Sequence, residues 1–197
     1  MKYSKMDFMT IHNNFFSKRR SVAAKKMMAG AISQMDLDDI LSAGIRVPDH
    51  AALNPWKIIV IKGESLKRID NEIILPEFIK DNPDAEEKNI IIESSRLQRA
   101  SAVIAVISAP VEHPKIPIWE MQLSSAAVCM NLLSCAQSKG YAAQWITEWY
   151  AYNDRLLQEL GGRVGLDKVS GFIYIGNKIE EPSERRRPDL IDVVKYI

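Results

Sequence analysis

Apolar positions recur along this chain with two periods, one typical of helices and the other of short buried strands. Helical spacing predicts helices over residues 6–16, 36–43, 118–139 and 154–160. Compact apolar runs, often β-branched, predict strands over residues 56–61, 102–107, 142–147 and 169–175. Because the helices and strands interleave without a regular repeat, the pattern indicates a mixed α and β fold in which helices cover a sheet.

Two segments differ from the usual amphipathic pattern. Residues 118–139 are apolar on nearly every side before Gly140 ends the run, which is typical of a buried helix. Residues 64–99 indicate helix of mixed character, and we expect breaks at Pro76 and Asn82-Pro83. We also expect mobility in this second segment.

Length and charge limit the classes of function. A chain of 197 residues with 47% hydrophobic content is long enough for one core, so a single domain is expected over residues 1–197. Its 26 Lys+Arg and 25 Asp+Glu residues give a formal net charge of +1, which does not favour nucleic-acid binding. No apolar run of membrane-spanning length or signal-peptide core is present, so the expected location is the cytoplasm, without a membrane partner.

The cysteines and histidines do not indicate a metal site. Cys129 and Cys135 lack the spacing of a zinc or redox motif, and we expect packed, reduced thiols. His12, His50 and His113 are scattered singly along the chain. We therefore predict no bound metal.

Three local stretches carry groups that could bind a ligand. Residues 19–21 (Arg-Arg-Ser) offer guanidinium forks and a hydroxyl, which suit a phosphate. Residues 49–56 place Asp, His and Asn side chains in a loop before a strand, and residues 140–147 form a small-residue turn into another strand. Taken singly, the same stretches are also typical of a surface salt-bridge cluster, a capping aspartate and an ordinary tight turn.

Together and in this order, the stretches resemble the nitroreductase family. The resemblance runs from about residue 8 to the C-terminus, and the Pro-Asp-His sequence at residues 48–50 is most similar to one branch of that family. The stretches that carry it are residues 19–22 (RRSV), 43–50 (AGIRVPDH), 54–56 (NPW), 140–146 (GYAAQWI), 171–176 (GFIYIG), 181–182 (EP) and 186–188 (RRP).

The resemblance implies an α+β, nitroreductase-like fold with a mixed or antiparallel central sheet flanked by helices. It also implies an obligate homodimer with FMN at the dimer interface. The implied cofactor contacts are Arg19, Arg20 and Ser21 at the phosphate and ribityl chain, His50 and Asn54 at the flavin, Trp145, Ile146 and Thr147 beside the ring, and either Arg185 or Arg187 at the phosphate.

The implied reaction passes reducing equivalents from NAD(P)H through bound flavin to a small acceptor such as a nitroaromatic compound or a quinone. Because the flavin itself carries the chemistry, no side chain is nominated as catalytic. Two alternatives remain open: an FMN enzyme of the same fold with another substrate, such as a dehalogenase or an enoate-type reductase, and a flavin-binding protein without turnover.

Several positions depart from the family pattern. Ala23 stands where many members carry Lys or Arg, so positive charge for the reduced ring must come from elsewhere. Residues 51–53 (Ala-Ala-Leu) give the loop few polar groups, and Gln144 and Ile146 replace frequent Gly and Arg choices.

Overall fold

Five strands form one antiparallel sheet in the computed structural model, which describes residues 15–197. The strands are β1 (Met27–Met28), β2 (Trp56–Lys62), β3 (Ala102–Ser108), β4 (Ala142–Ile146) and β5 (Lys168–Lys178). The order is β2-β3-β5-β4, and β1 pairs with the C-terminal end of β5. The four longer strands were predicted from their apolar runs, and each prediction is confirmed to within a few residues.

The central strand β3 separates two hydrophobic clusters. Val103, Ala105 and Ile107 pack into one cluster, and Ile104 and Val106 pack into the other, on the opposite face of the sheet. All seven residues of β3 are buried. The apolar run at 102–107 therefore has no polar alternation because both faces of its strand are covered.

Helices cover both faces of this sheet. They are α1 (described over residues 15–18), α2 (Gln34–Gly44), α3 (Glu64–Ile69), α4 (Leu75–Asp81), α5 (Glu87–Glu93), α6 (Ile118–Ser138), α7 (Asp154–Glu159) and α8 (Leu190–Val193). The predicted helices at 36–43, 118–139 and 154–160 are confirmed, as is the α+β class. Most of the helix predicted over residues 6–16 lies outside the described residues.

The long helix α6 packs against α2 and the sheet through its C-terminal half. A Cβ on Gly44 would lie 2.4 Å from Leu132 Cδ2, so only a glycine fits at the end of α2. The first turns of α6 differ from the expected full burial, because Trp119 is 65% and Leu123 is 49% exposed. Residues 15–197 thus leave an apolar face on the first turns of α6 uncovered.

The expected break at Pro76 was wrong. A π-helical turn, Asp70–Ile74, joins α3 to α4 and leaves Pro76 in the first turn of α4, where its missing N–H costs little. The fully buried Asp70 carboxylate accepts hydrogen bonds from the backbone N–H groups of Leu97 and Gln98. These hydrogen bonds anchor residues 70 and 97–98 to each other in the core. The mobility expected of residues 64–99 stays a prediction.

Candidate functional site

A cleft of about 400 Å³ opens where α1 ends, and we call it the arginine cleft. Its wall includes Arg19, Arg20, Gln137, Tyr141 and Lys178. The backbone N–H of Arg19 donates to Phe15 O (2.8 Å) and closes the helix. The chain then runs beside β4, where the Val22 N–H donates to Ala143 O (3.2 Å). The end of one helix and the start of one strand thus hold both arginines at the cleft.

Cations outnumber carboxylates in the arginine cleft: Lys18, Arg19, Arg20 and Lys178 line it, while Glu184 pairs with Arg20 (3.6 Å) and Glu181 with Lys178 (2.6 Å). Arg19 Nη1 lies 3.5 Å from both Ser21 Oγ and Gln137 Oε1, and no carboxylate of residues 15–197 forms an ion pair with it. Burial lowers the pKa of Arg19, and the nearby charges of Arg187 and Arg20 lower it further. An anion bound here would relieve this repulsion, which is the property expected of a phosphate site.

Arg20 and the C-terminal tail are connected directly. Arg20 Nε and Nη2 donate to Ser183 O at 3.0 and 2.9 Å. Arg187 lies near Glu184, with Nη2 3.4 Å from Oε1, and it acts electrostatically on Arg19. For Arg185, by contrast, the structure gives only a backbone contact, from its N–H to Glu184. Of the two tail arginines, Arg187 is therefore the one beside the cleft.

A second cavity of about 290 Å³ follows along the same two segments. Its wall includes Ala23, Ile146, Glu148 and Arg96, and we call it the ring cavity. The backbone N–H of Ala24 donates to Gln144 Oε1 (2.6 Å) and fixes one segment against the other. A long ligand with an anionic end and a planar end could lie along residues 18–25, its charge in the arginine cleft and its plane in the ring cavity.

Two buried tyrosines line the ring cavity at its base. The hydroxyls of Tyr150 and Tyr174 lie 2.8 Å apart, and either can be the donor. Burial raises the pKa of both side chains, so they stay neutral at physiological pH. They give the cavity a polar base without adding charge.

The three residues predicted beside the flavin ring lie in different surroundings. Ile146 lines the ring cavity, whereas Thr147 is exposed just beyond the end of β4. Trp145 packs on the opposite face of the sheet, and its Nε1–H donates to Ser170 O (3.0 Å). A Cβ on Gly171 would lie 2.0 Å from that nitrogen, so Gly171 is needed for the indole to fit.

The loop before β2 holds His50 and Asn54 in a strained backbone. Three of its residues have left-handed conformations, namely Ala51 (φ 59°), Ala52 (φ 52°) and Asn54 (φ 48°). Asp49 Oδ2 accepts from the Asn54 backbone N–H (2.7 Å), and His50 Nδ1 lies 2.7 Å from Glu120 Oε2. Alanine rarely adopts such angles, and strain of this kind often accompanies a functional loop.

His50 and Arg19 do not meet within one chain. His50 contacts Glu120 in the first turn of α6, and Arg19 contacts Gln137 in its last turn. At a rise of about 1.5 Å per residue, these two positions on the helix are about 25 Å apart. The loop before β2 and the arginine cleft therefore lie toward opposite ends of α6.

Sequence reasoning missed the buried ion pair at the ring cavity. Arg96 donates to both carboxylate oxygens of Glu93, from Nε at 2.8 Å and from Nη2 at 2.5 Å. Its Nη1 lies 3.4 Å from Glu148 Oε1. The i,i+3 spacing of Glu93 and Arg96 is a weak signal, because the same spacing is common on exposed helix surfaces.

Other kinds of site find no support within residues 15–197. No group of three or more His, Cys, Asp or Glu side chains there could hold a metal ion. Within the same residues, no helix has the length and apolar character needed to cross a membrane. Cys129 is buried and Cys135 is half-buried, both as free thiols, and burial raises the pKa of Cys129 to about 12.

The fold agrees with comparisons to known proteins. The profile of the Nitroreductase family matches residues 16–177. A Haemophilus influenzae protein provisionally named an NAD(P)H nitroreductase is 33% identical, over 88% of this chain and 93% of its own. The Escherichia coli K12 protein YdjA, with the same provisional description, is 28% identical over 90% and 94%.

Solved structures show the same fold. A nitroreductase-like protein from Bacillus cereus superimposes with a TM-score of 0.80 at 22% identity, covering 100% of this chain and 98% of its own. A Bacteroides fragilis nitroreductase with bound FMN gives 0.68 at 21% identity, with 94% and 97% covered. The chain belongs to the nitroreductase family.

Proposed function

We propose that two copies of this chain hold FMN between them and pass reducing equivalents from NAD(P)H to a small acceptor such as a nitroaromatic compound or a quinone. The observation that carries the proposal is the arginine cleft, where four cations outnumber two carboxylates and Arg19 has no acidic partner among residues 15–197. The ring cavity follows it along the same two segments, as an elongated ligand with one anionic end requires.

As a member of its family, the chain is an NAD(P)H-dependent flavin oxidoreductase with FMN as its cofactor. When bound, FMN supplies the site that accepts reducing equivalents from the nicotinamide and delivers them to the acceptor. The protein's own part is to bind, orient and electrostatically tune that group. Because FMN supplies the chemistry and the protein supplies the binding site, the reaction requires no catalytic acid or nucleophile from a side chain.

The residues present fit FMN. Arg19, Arg20 and Arg187 would hold the phosphate, because guanidinium forks bind phosphate oxygens in pairs and these three are within electrostatic reach of one another. The Ser21 hydroxyl, close to Arg19, would serve the phosphate or the ribityl chain. Ile146 would lie against the ring in the ring cavity. A bound phosphate would attract all three guanidinium groups and so offset the repulsion that Arg20 and Arg187 exert on Arg19.

The second copy is needed because of the distance along α6. His50 contacts Glu120 in the first turn of α6, and Arg19 contacts Gln137 about 25 Å further along the helix axis. If residues of the loop before β2 contact flavin, they contact the flavin held by the partner chain's arginine cleft. Such a shared site requires the first turns of α6 to face the partner, and those turns carry the exposed Trp119 and Leu123.

The C-terminal tail supports the same assembly. Beyond residue 178 the chain is almost entirely exposed, although it carries large apolar side chains. The most exposed of them are Leu190 (74%), Ile191 (88%), Tyr196 (91%) and Ile197 (117%). An exposed apolar arm of this kind is stable in water when it packs on another chain. A second copy of this chain is the occupant that also completes the FMN site.

A spectrum and a turnover assay test the proposed function together. Purified protein should show the absorption bands of oxidised flavin, and it should oxidise NADH or NADPH in the presence of menadione or nitrofurazone. A colourless protein that does not take up added FMN would refute the cofactor. A yellow protein that oxidises neither nucleotide with any acceptor would instead support a flavin-binding protein without turnover.

A further inference from the structure

The charge around the ring cavity raises a question that the proposed function leaves open. A reduced flavin ring gains negative charge, and a cation nearby stabilises it. The segment that follows the phosphate-binding arginines contributes Ala23 to this cavity, which carries no charge. The positive charge must then come from another part of the chain.

Three cations line the ring cavity, and only one is both shielded and fixed. Lys25 is exposed, so water and salt screen its charge. Arg99 donates from Nη2 to Ile92 O (3.2 Å), which directs its guanidinium toward the end of α5. The side chain of Arg96 is only 16% exposed. Electrostatic interactions are stronger where water is excluded, so the charge on Arg96 counts most.

The hydrogen bonds of Arg96 fix its orientation. Glu93, whose side chain is 5% exposed, occupies the Nε and Nη2 edge of the guanidinium. The contact from Nη1 to Glu148 is longer, at 3.4 Å, and Glu148 is 40% exposed. One N–H on Nη1 and one on Nη2 therefore remain for a ligand in the cavity. Glu93 also accepts from Trp149 Nε1 (3.1 Å), which keeps the carboxylate in place.

We propose that Arg96 supplies the positive charge that stabilises the reduced flavin in the ring cavity, and that Glu93 is its positioning residue. Arg96 takes the place of a cation that Ala23 does not provide. This inference rests on the proposed function, because it requires FMN with its ring in that cavity. The midpoint potential of the flavin would then depend on Glu93 at the end of α5 and on Arg96 in the turn that follows.

The test is the midpoint potential of bound FMN, measured by spectroelectrochemical titration of the holoprotein. The main variant is Arg96→Met, which removes one positive charge and leaves the Glu93 carboxylate hydrogen-bonded to Trp149 Nε1. Its ratio of affinities for reduced over oxidised FMN should fall about tenfold, which makes the two-electron potential about 30 mV more negative. Adding Ala23→Lys to this variant should restore most of the loss, since position 23 lines the same cavity.

Arg99→Met and Lys25→Met are the matched controls, because each removes one positive charge from the same cavity. Both should leave the potential close to that of the wild type. If Arg96→Met does not fold, Arg96→Lys keeps the charge and should also keep the potential.

Three results would overturn the inference while leaving the proposed function standing: an unchanged potential in Arg96→Met, an equal shift in either control, or a tenfold loss in Arg96→Lys. A wild-type protein that does not bind FMN would overturn both the inference and the proposed function.

Discussion

Replacing Arg19 with Ala tests the phosphate site most specifically. Among residues 15–197, the Arg19 guanidinium reaches only two neutral oxygens, Ser21 Oγ and Gln137 Oε1, each at the limiting distance of 3.5 Å. The variant should therefore fold normally, because it loses no strong internal interaction. With FMN present, the same side chain forms a charge-assisted hydrogen bond, which contributes about 1.5–3 kcal/mol. Arg19→Ala should thus weaken FMN binding by about ten- to a hundredfold.

Riboflavin is the ligand control, because it has the same ring and no phosphate. Titration of FMN and riboflavin into apo wild type and apo Arg19→Ala should show a loss for FMN alone. Arg185→Ala is the matched protein control. This substitution removes a positive charge from the tail, and the Arg185 side chain has no described contact at the cleft. Equal losses for both ligands, or a loss in Arg185→Ala as large as in Arg19→Ala, would refute this role of Arg19.

Three further predictions concern kinetics, potential and stability. If nicotinamide and acceptor take turns over one flavin face, double-reciprocal plots at several fixed acceptor concentrations should be parallel, and intersecting lines would mean that both bind together. Glu148→Gln removes a negative charge beside Arg96, so the ratio of affinities for reduced over oxidised FMN should rise severalfold and the midpoint potential should become more positive. A more negative potential would contradict the electrostatic account. Hydrogen bonds from Lys139 and Tyr141 lower the pKa of Asp36 from 3.8 to about 2, so its contribution to stability is full above pH 4 and is lost as pH falls toward 2. The difference in urea midpoint between wild type and Asp36→Asn should shrink over that range, and a constant difference would rule this contribution out.

Local patterns were sufficient to predict the sheet and its main helices. Runs such as 56–61 and 102–107 are strands because their β-branched residues pack on both neighbours, and this preference is visible in each run alone. Pro76 was misjudged because a π-helical turn, set by the packing around Asp70, moves it into a first turn where proline is tolerated. Tertiary packing decided that position, and no local pattern carries this information.

The candidate site also has one part that local sequence predicts and another that depends on the folded chain. Arg19, Arg20 and Ser21 are adjacent in sequence, so their common position at the end of a helix follows from local structure. Arg96 was missed because the fold brings it into a cavity lined by residues of segments 23–25 and 144–150, which are distant in sequence. The choice between the tail arginines could not be made either, because the tail lacks the periodicity that would show which side chain turns inward. The folded chain favours Arg187 over Arg185, because the charge of Arg187 acts on Arg19.

Native mass spectrometry of the FMN-loaded protein tests the shared site most directly. At low micromolar concentration, the account predicts a dimer of twice 22.3 kDa that carries two FMN molecules. As the protein is diluted until the dimer dissociates, FMN should leave with the dimer, and the monomer should appear only in the FMN-free form. A stable monomer that retains one FMN would contradict the claim that the site needs both copies.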